Sequence, residues 1–246
     1  MKILGVSNEH ARQLLHGLAR DHWLARIQAG KYELIPSERG EYAFPDTNPL
    51  FLGSMLIQPY YFSFTTAGFF HGLSTQASHV IFIATSQDLP RHRWVREKEY
   101  RLVLQPKIIF FGWSEVDAYG SRVNMAEPEK ALLDSLAHPS YAGDIPEIAA
   151  MLWRGRNSLE RQKMVKYAVH FRSRALLQRL GYLLESVKKI PIDTEIRNSL
   201  LEKAIADGKC YLGQPGRWGT GGTCSSTWRV VENIPRNELF AEHEVK

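Results

Sequence analysis

Asn8, Arg12, Gln13 and His16 lie within nine residues, and their side chains can read the edges of base pairs. Asn and Gln can pair with adenine and Arg with guanine. If residues 7–23 are helical, Arg12, Gln13, His16 and Arg20 gather on one face. Ser7 or Asn8 is the expected N-cap, and Glu9 sits in the first turn, where the helix dipole favours an acid. Farther on, Arg26 and Lys31 have the chemistry of phosphate contacts.

Catalytic chemistry has weaker candidates. Asp117, Glu127, Glu129 and Asp134 suggest a metal nuclease, but no Lys follows at the spacing such cores use, and helix capping accounts for Glu127 and Glu129. His71 reads as a satisfied histidine at a helix end. Cys210 and Cys224 make neither a disulfide framework nor a zinc site, which fits a reducing cytosol. Residues 213–222 are glycine-rich without the Lys-Ser/Thr of a phosphate loop, and are expected to form a flexible loop before a final strand at 227–231. With no nucleophile–base pair, ligand cluster or cofactor fingerprint, the sequence predicts no catalytic residue, no metal and no cofactor. It does not read as an enzyme.

The elements that would position the base-reading residues come first in the chain. Ala11, Leu14, Leu15 and Leu18 line the apolar face of the predicted helix. Two short alternating runs follow, joined near Ala29-Gly30, the signature of a β-hairpin. A polar-faced helix followed by a basic hairpin matches the second half of a winged helix-turn-helix, whose recognition helix enters the major groove. Only six residues precede Ser7, where a winged helix places one or two helices, so this head is expected to be truncated or incomplete. Gly40, Pro45 and Pro49 among polar residues mark 38–49 as a linker. The predicted division is therefore a head and linker at 1–47 and a mixed α/β domain at 48–246.

That domain is predicted to be organised around Pro59 to Leu73, where aromatic rings crowd a short helix. Ser63 or Thr65 is its expected N-cap and Gly72 its left-handed close, with Phe64, Ala67, Phe70 and His71 on one face. Residues 79–85 read as a buried strand and 100–104 as an alternating one. Between them, Arg91, His92, Arg93, Trp94, Arg96 and Lys98 mix cations with an aromatic. That mixture can grip a nucleic-acid backbone, although an exposed edge protected by charge is the preferred reading. Acids and a proline open helices at Glu127-Pro128 and at Asp144-Ile145-Pro146, and three amphipathic helices should follow between 158 and 206.

The net charge of +5 is unevenly spread, with ten Lys and Arg against two acids in residues 153–190. A phosphate-binding surface needs such clustering, and so does an ordinary solvated helix face. The apolar content of 44% suffices for a core, yet no apolar run reaches the ~20 residues that span a bilayer, and the first residues do not read as a secretory signal. A cytoplasmic protein with no membrane partner is expected.

Four segments, in order, resemble one family. Gly5-Val6-Ser7, the helix with Ala11, Leu14, Leu15 and Leu18, Trp23-Leu24-x-Arg26 and Gly30-x-Tyr32 are similar to the DNA-binding head of AbiEi-type antitoxins. Tyr60-Tyr61-x-Ser63 with Ala67 and His71-Gly72-Leu73 is similar to that family's most recognisable segment. Glu129-Lys130-Ala131-Leu132-Leu133-Asp134 and Trp228-Arg229-Val230-Val231-x-Asn233 complete the resemblance. It implies an α+β fold with a winged helix-turn-helix head, followed by a mixed α/β domain with a basic helical part. It also implies an antitoxin of a type IV toxin–antitoxin or phage-abortive-infection module. Such a protein binds double-stranded DNA at its own promoter, represses its operon and counters a nucleotidyltransferase-like toxin. The DNA-binding residues would be Ser7, Asn8, Arg12, Gln13 and His16 on the helix, the last four reading base edges, with Arg26 and Lys31 on the wing. Two other readings stand beside it: a winged-helix regulator with no toxin partner, and an enzyme acting on nucleic acid or on the toxin.

Overall fold

Ser7 decides where the first helix begins. In the computed structural model its backbone is extended and its Oγ accepts from the His10 N–H at 3.2 Å, which starts helix α1, Asn8–Arg20. The structure describes residues 5–35, 48–88, 91–95, 97–187, 192–204 and 208–241. Most of the predicted linker, and with it the division at 47/48, lies outside the described residues. Strands β1, Leu24–Gln28, and β2, Lys31–Leu34, form an antiparallel hairpin with a register irregularity between Arg26 and Gln28. Ile27, at that irregularity, is buried in the core of the neighbouring sheet.

The sheet itself is mixed. Helix α2, Pro49–Ser54, capped by the Asn48 side chain, leads to β3, Tyr60–Phe62, and then to α3, Phe64–Phe70. The strands β4, Val80–Thr85, β5, His92–Val95, β6, Lys98–Leu104, β7, Trp113–Ala118, and β8, Ser121–Ala126, complete six strands in the order β5-β6-β4-β3-β8-β7. β4 runs parallel to β6 and β3 parallel to β8, while the other neighbours are antiparallel.

Helix α3 closes as its sequence demands. Gly72 takes a φ of +69°, and the Leu73 N–H returns to the Gly68 carbonyl at 2.7 Å with the Leu73 side chain buried. Its start differs from expectation, because Ser63 makes no cap bond with its side chain and points its hydroxyl at Asp134 instead. Of the face shared by Phe64, Ala67, Phe70 and His71, Phe64 and Ala67 are fully buried, whereas Phe70 and His71 are half-buried.

Five helices follow: α4, Pro128–Ala137; α5, Ile145–Arg154; α6, Arg161–His170; α7, Arg174–Ser186; and α8, Thr194–Ala204. Their apolar faces meet in a second core that includes Leu132, Leu136, Ile148, Leu176, Leu180 and Leu200. A small sheet closes the chain, with β10, Thr223–Cys224, and β9, Cys210–Tyr211, on either side of β11, Val230–Glu232. Trp228 of this region lies against Gly181 of α7, where an added Cβ would stand 2.1 Å from the indole. Only a glycine permits so close an approach. The final strand is thus shifted from the expected 227–231, and the glycine-rich segment before it is pinned. The Asn233 amide accepts from the Gly213 N–H and donates to the carbonyls of Gly213 and Gly219. The fold is α+β, and no helix among the described residues is long and apolar enough to cross a membrane.

Candidate nucleic-acid interface

Helix α1 turns its small and leucine residues unequally. Ala11, Leu15 and Ala19 are half-buried, and the helix packs on β1. Leu14 and Leu18 remain 47% and 42% exposed, so no residue of α1 is fully buried. On the polar side Asn8, Arg12, Gln13 and His16 are all exposed and make no hydrogen bond or ion pair through their side chains among the described residues. Arg20, on the same side, is paired with Asp21 at 3.2 Å. The stripe of donors and acceptors predicted for base edges is therefore present and unspent, while the Ser7 hydroxyl serves the helix as its cap.

The hairpin residues divide. Arg26, opposite Tyr32 in the register, is exposed. Lys31 is half-buried, and its ammonium donates to the Met55 carbonyl just beyond α2. Together with Ile27 in the sheet core, this bond ties the hairpin to the rest of the molecule. Of the two wing cations expected at phosphate, one is open and the other holds the fold together.

The basic helical part spends much of its charge internally. Arg154 donates to the Leu73 carbonyl at 2.5 Å and to Glu147 at 3.0 Å, and its side chain is only 9% exposed. Arg156 reaches the Trp153 carbonyl at 2.7 Å and lies over its ring, and Arg161 donates to the Arg156 carbonyl. Lys163 bridges Glu127 and Glu129, and Arg179 donates to the Tyr211 carbonyl at 2.9 Å. Lys166, Arg172 and Arg174 are left exposed.

Nor do the four candidate carboxylates of a nuclease converge. Asp117 caps the β7–β8 turn at the Gly120 N–H. Glu127 accepts from the Tyr167 hydroxyl at 2.6 Å, and burial together with that bond pushes the phenol up to about 12. Glu129 accepts from the Glu160 N–H at 2.8 Å. These two acids open α4 as expected, but their side chains bind other elements and do not cap their own helix. His71 sits against the Ala126 carbonyl at 2.7 Å, and burial pushes its pKa down.

Asp134 belongs to a cluster that sequence reasoning missed. Tyr61, Ser63, Lys130 and Asp134 have no exposed surface, although they come from two segments 67 or more residues apart. The Lys130 ammonium pairs with Asp134 Oδ1 and donates to the Tyr61 hydroxyl at 3.0 Å. Tyr61 and Ser63 donate in turn to Asp134 Oδ2, at 3.2 and 2.7 Å. The rings of Tyr61, Phe111 and Phe171 enclose the ammonium at 5.3, 5.3 and 4.8 Å. Burial pushes the lysine pKa down, against the pull of Asp134, and pushes the Tyr61 phenol well up. The four side chains are closed off from solvent and spend their polar groups on one another. It fastens β3 of the sheet to α4 of the helical core.

No protein-family model matches this sequence, and no curated protein matches it. Among solved structures the chain is similar to the RV2827C protein from Mycobacterium tuberculosis. The TM-score is 0.66 at 16% identity, over 97% of this chain and 83% of that one. At that identity the likeness is one of fold.

Proposed function

We propose that the chain is an AbiEi-type antitoxin that reads its own promoter as double-stranded DNA and counters a nucleotidyltransferase-like toxin in the cytoplasm. In this reading α1 is the recognition helix of a winged helix-turn-helix and the β1–β2 hairpin its wing. The remainder, from residue 48, is the protective domain, and the protein acts by binding rather than by catalysis. The observation that carries the reading is the exposed, unpartnered stripe of Asn8, Arg12, Gln13 and His16 on a helix followed at once by a hairpin. An exposed cation with no internal partner keeps its charge for a phosphate or a guanine edge.

Binding to the chain's own promoter duplex at several salt concentrations tests the DNA half. Arg12→Ala should cost about 1–3 kcal/mol and relax the preference at one base position. Arg26→Ala should weaken all sequences alike and lower the salt slope by about one unit. Indifference to both substitutions would remove α1 and the hairpin from the interface. Co-expression with the neighbouring reading frame in a growth assay tests the other half. Repression without protection from that product would leave a plain transcriptional regulator.

A further inference from the structure

The basic run around Trp94 forms the free edge of the six-stranded sheet. Among the described residues β5 pairs with β6 alone, with Arg93 opposite Tyr100, Trp94 opposite Glu99 and Val95 opposite Lys98. Trp94 is 69% exposed, more than any other tryptophan of the chain. The two-residue period of a strand places Trp94 and His92 on one face, and Arg93 with the buried Val95 on the other. Arg91, Arg93 and Lys98 are exposed and have no ion-pair partner among the described residues. The acid facing the indole is neutralised locally, since Glu99 accepts from Arg101 at 2.8 Å and meets His92 Nδ1 at 2.7 Å. Glu97, exposed in the turn, is the remaining described acid of the hairpin.

The surroundings of this open indole narrow what it can bind. Trp and Arg both anchor protein interfaces, but such an anchor draws its energy from a well-packed, fully desolvated centre. Here the flanking positions 91, 92 and 93 are an arginine, a histidine and an arginine. A flat π-face on one side of an open strand edge, with unpaired guanidinium groups on the other, suits a base and its phosphates passing over that edge, and bases are free to stack on a side chain only where they are unpaired. We infer that the β5–β6 edge binds single-stranded nucleic acid, with a base stacked on Trp94 on one face and the backbone crossing the open edge of β5 to Arg91 and Arg93 on the other. This site is separate from α1 and needs no winged helix.

Anisotropy of labelled single strands of about 15 nucleotides, near the upper end of known site sizes, tests it with the full chain. Oligothymidine and oligouridine arms separate DNA from RNA. Trp94→Ala should weaken the favoured arm about 5- to 150-fold, the range set by one lost stacked base, and Trp94→Tyr should restore most of the loss. The double variant Arg91→Ala, Arg93→Ala should lower the salt slope by roughly 1.4 units. Promoter-duplex binding should be untouched by these changes, whereas Arg12→Ala should leave single-strand binding intact. The inference is overturned if the wild type ignores both single strands, or if Trp94→Ala binds as well as the wild type. A Trp94→Ala change that abolishes self-association without altering nucleic-acid affinity would also overturn it, by making the edge a contact between copies.

Discussion

Arg12 on α1 and Arg154 at the end of α5 are both helix-surface arginines, and a count of charge treats them alike. Arg12 is exposed and has no partner among the described residues, whereas Arg154 is nearly covered and holds the Leu73 carbonyl and Glu147. The same contrast runs through the two regions. The stretch with the largest excess of charge, 153–190, hands five of its cations, Arg154, Arg156, Arg161, Lys163 and Arg179, to neighbouring carbonyls and acids. Residues 5–35, with a small excess of charge, leave the polar stripe of Asn8, Arg12, Gln13 and His16 open. Charge available to a partner is what remains after the fold has drawn on it, so local net charge is a poor guide to which cations are left open.

The sharpest way to break this comparison is to remove a cation's internal partner. Asp134→Ala strands Lys130 without a counter-ion in a fully buried site and should cost about 3–5 kcal/mol in chemical denaturation. Lys130→Met with Asp134→Asn removes both charges but keeps an acceptor for Ser63 and Tyr61, so it should lose less. A loss below about 1 kcal/mol for Asp134→Ala would mean that the cluster is not what joins the two cores.

A smaller effect compares the two arginines directly. Arg154→Ala should destabilise by about 1–3 kcal/mol through its lost charged hydrogen bonds, with promoter affinity unchanged. Arg12→Ala should leave stability within about 0.5 kcal/mol, as at an ordinary surface site. If Arg12→Ala unfolded the head, or Arg154→Ala weakened DNA binding, spent and unspent charge would be the wrong distinction.

The smallest effect concerns pH. Burial holds His71 and His138 below the usual histidine pKa in the folded state. The unfolded chain therefore takes up these protons first, and their contribution, present above about pH 6.5, is lost as pH falls toward the folded values. Unfolding curves between pH 5 and 7.5 should show that decline, and the double variant His71→Gln, His138→Gln should flatten it. An unchanged pH profile would assign the acid sensitivity elsewhere.

Much of the fold was legible because local rules and tertiary packing agree. Acid-proline starts at Pro128 and Pro146, the glycine close at Gly72 and the buried run of β4 stand where the sequence places them. What stayed hidden depends on partners distant in the chain. Lys130 and Asp134 have the spacing of an ordinary exposed helix pair, and only the arrival of Tyr61, Phe111 and Phe171 makes them a buried one. Ser63 looks like a cap until Asp134 claims its hydroxyl. The β7–β8 hairpin alternates too weakly to announce itself, because polar Ser114, Glu115 and Asp117 dominate β7 at the sheet edge. At the candidate interface the stripe on α1 was readable from spacing alone. The tie between Lys31 and Met55 was not, since a carbonyl partner leaves no mark in sequence.

That tie, with Ile27 beside it, makes the hairpin a bracket. A head carried on a loose tether would lose orientational freedom each time it docked, and would transmit nothing inward. Here the hairpin on which α1 packs is seated in the sheet core, so much of that freedom is already surrendered at folding and would not count against the proposed docking. The same seating means that displacing α1 and its hairpin from the body would break the Lys31–Met55 bond and unseat Ile27 from the sheet core.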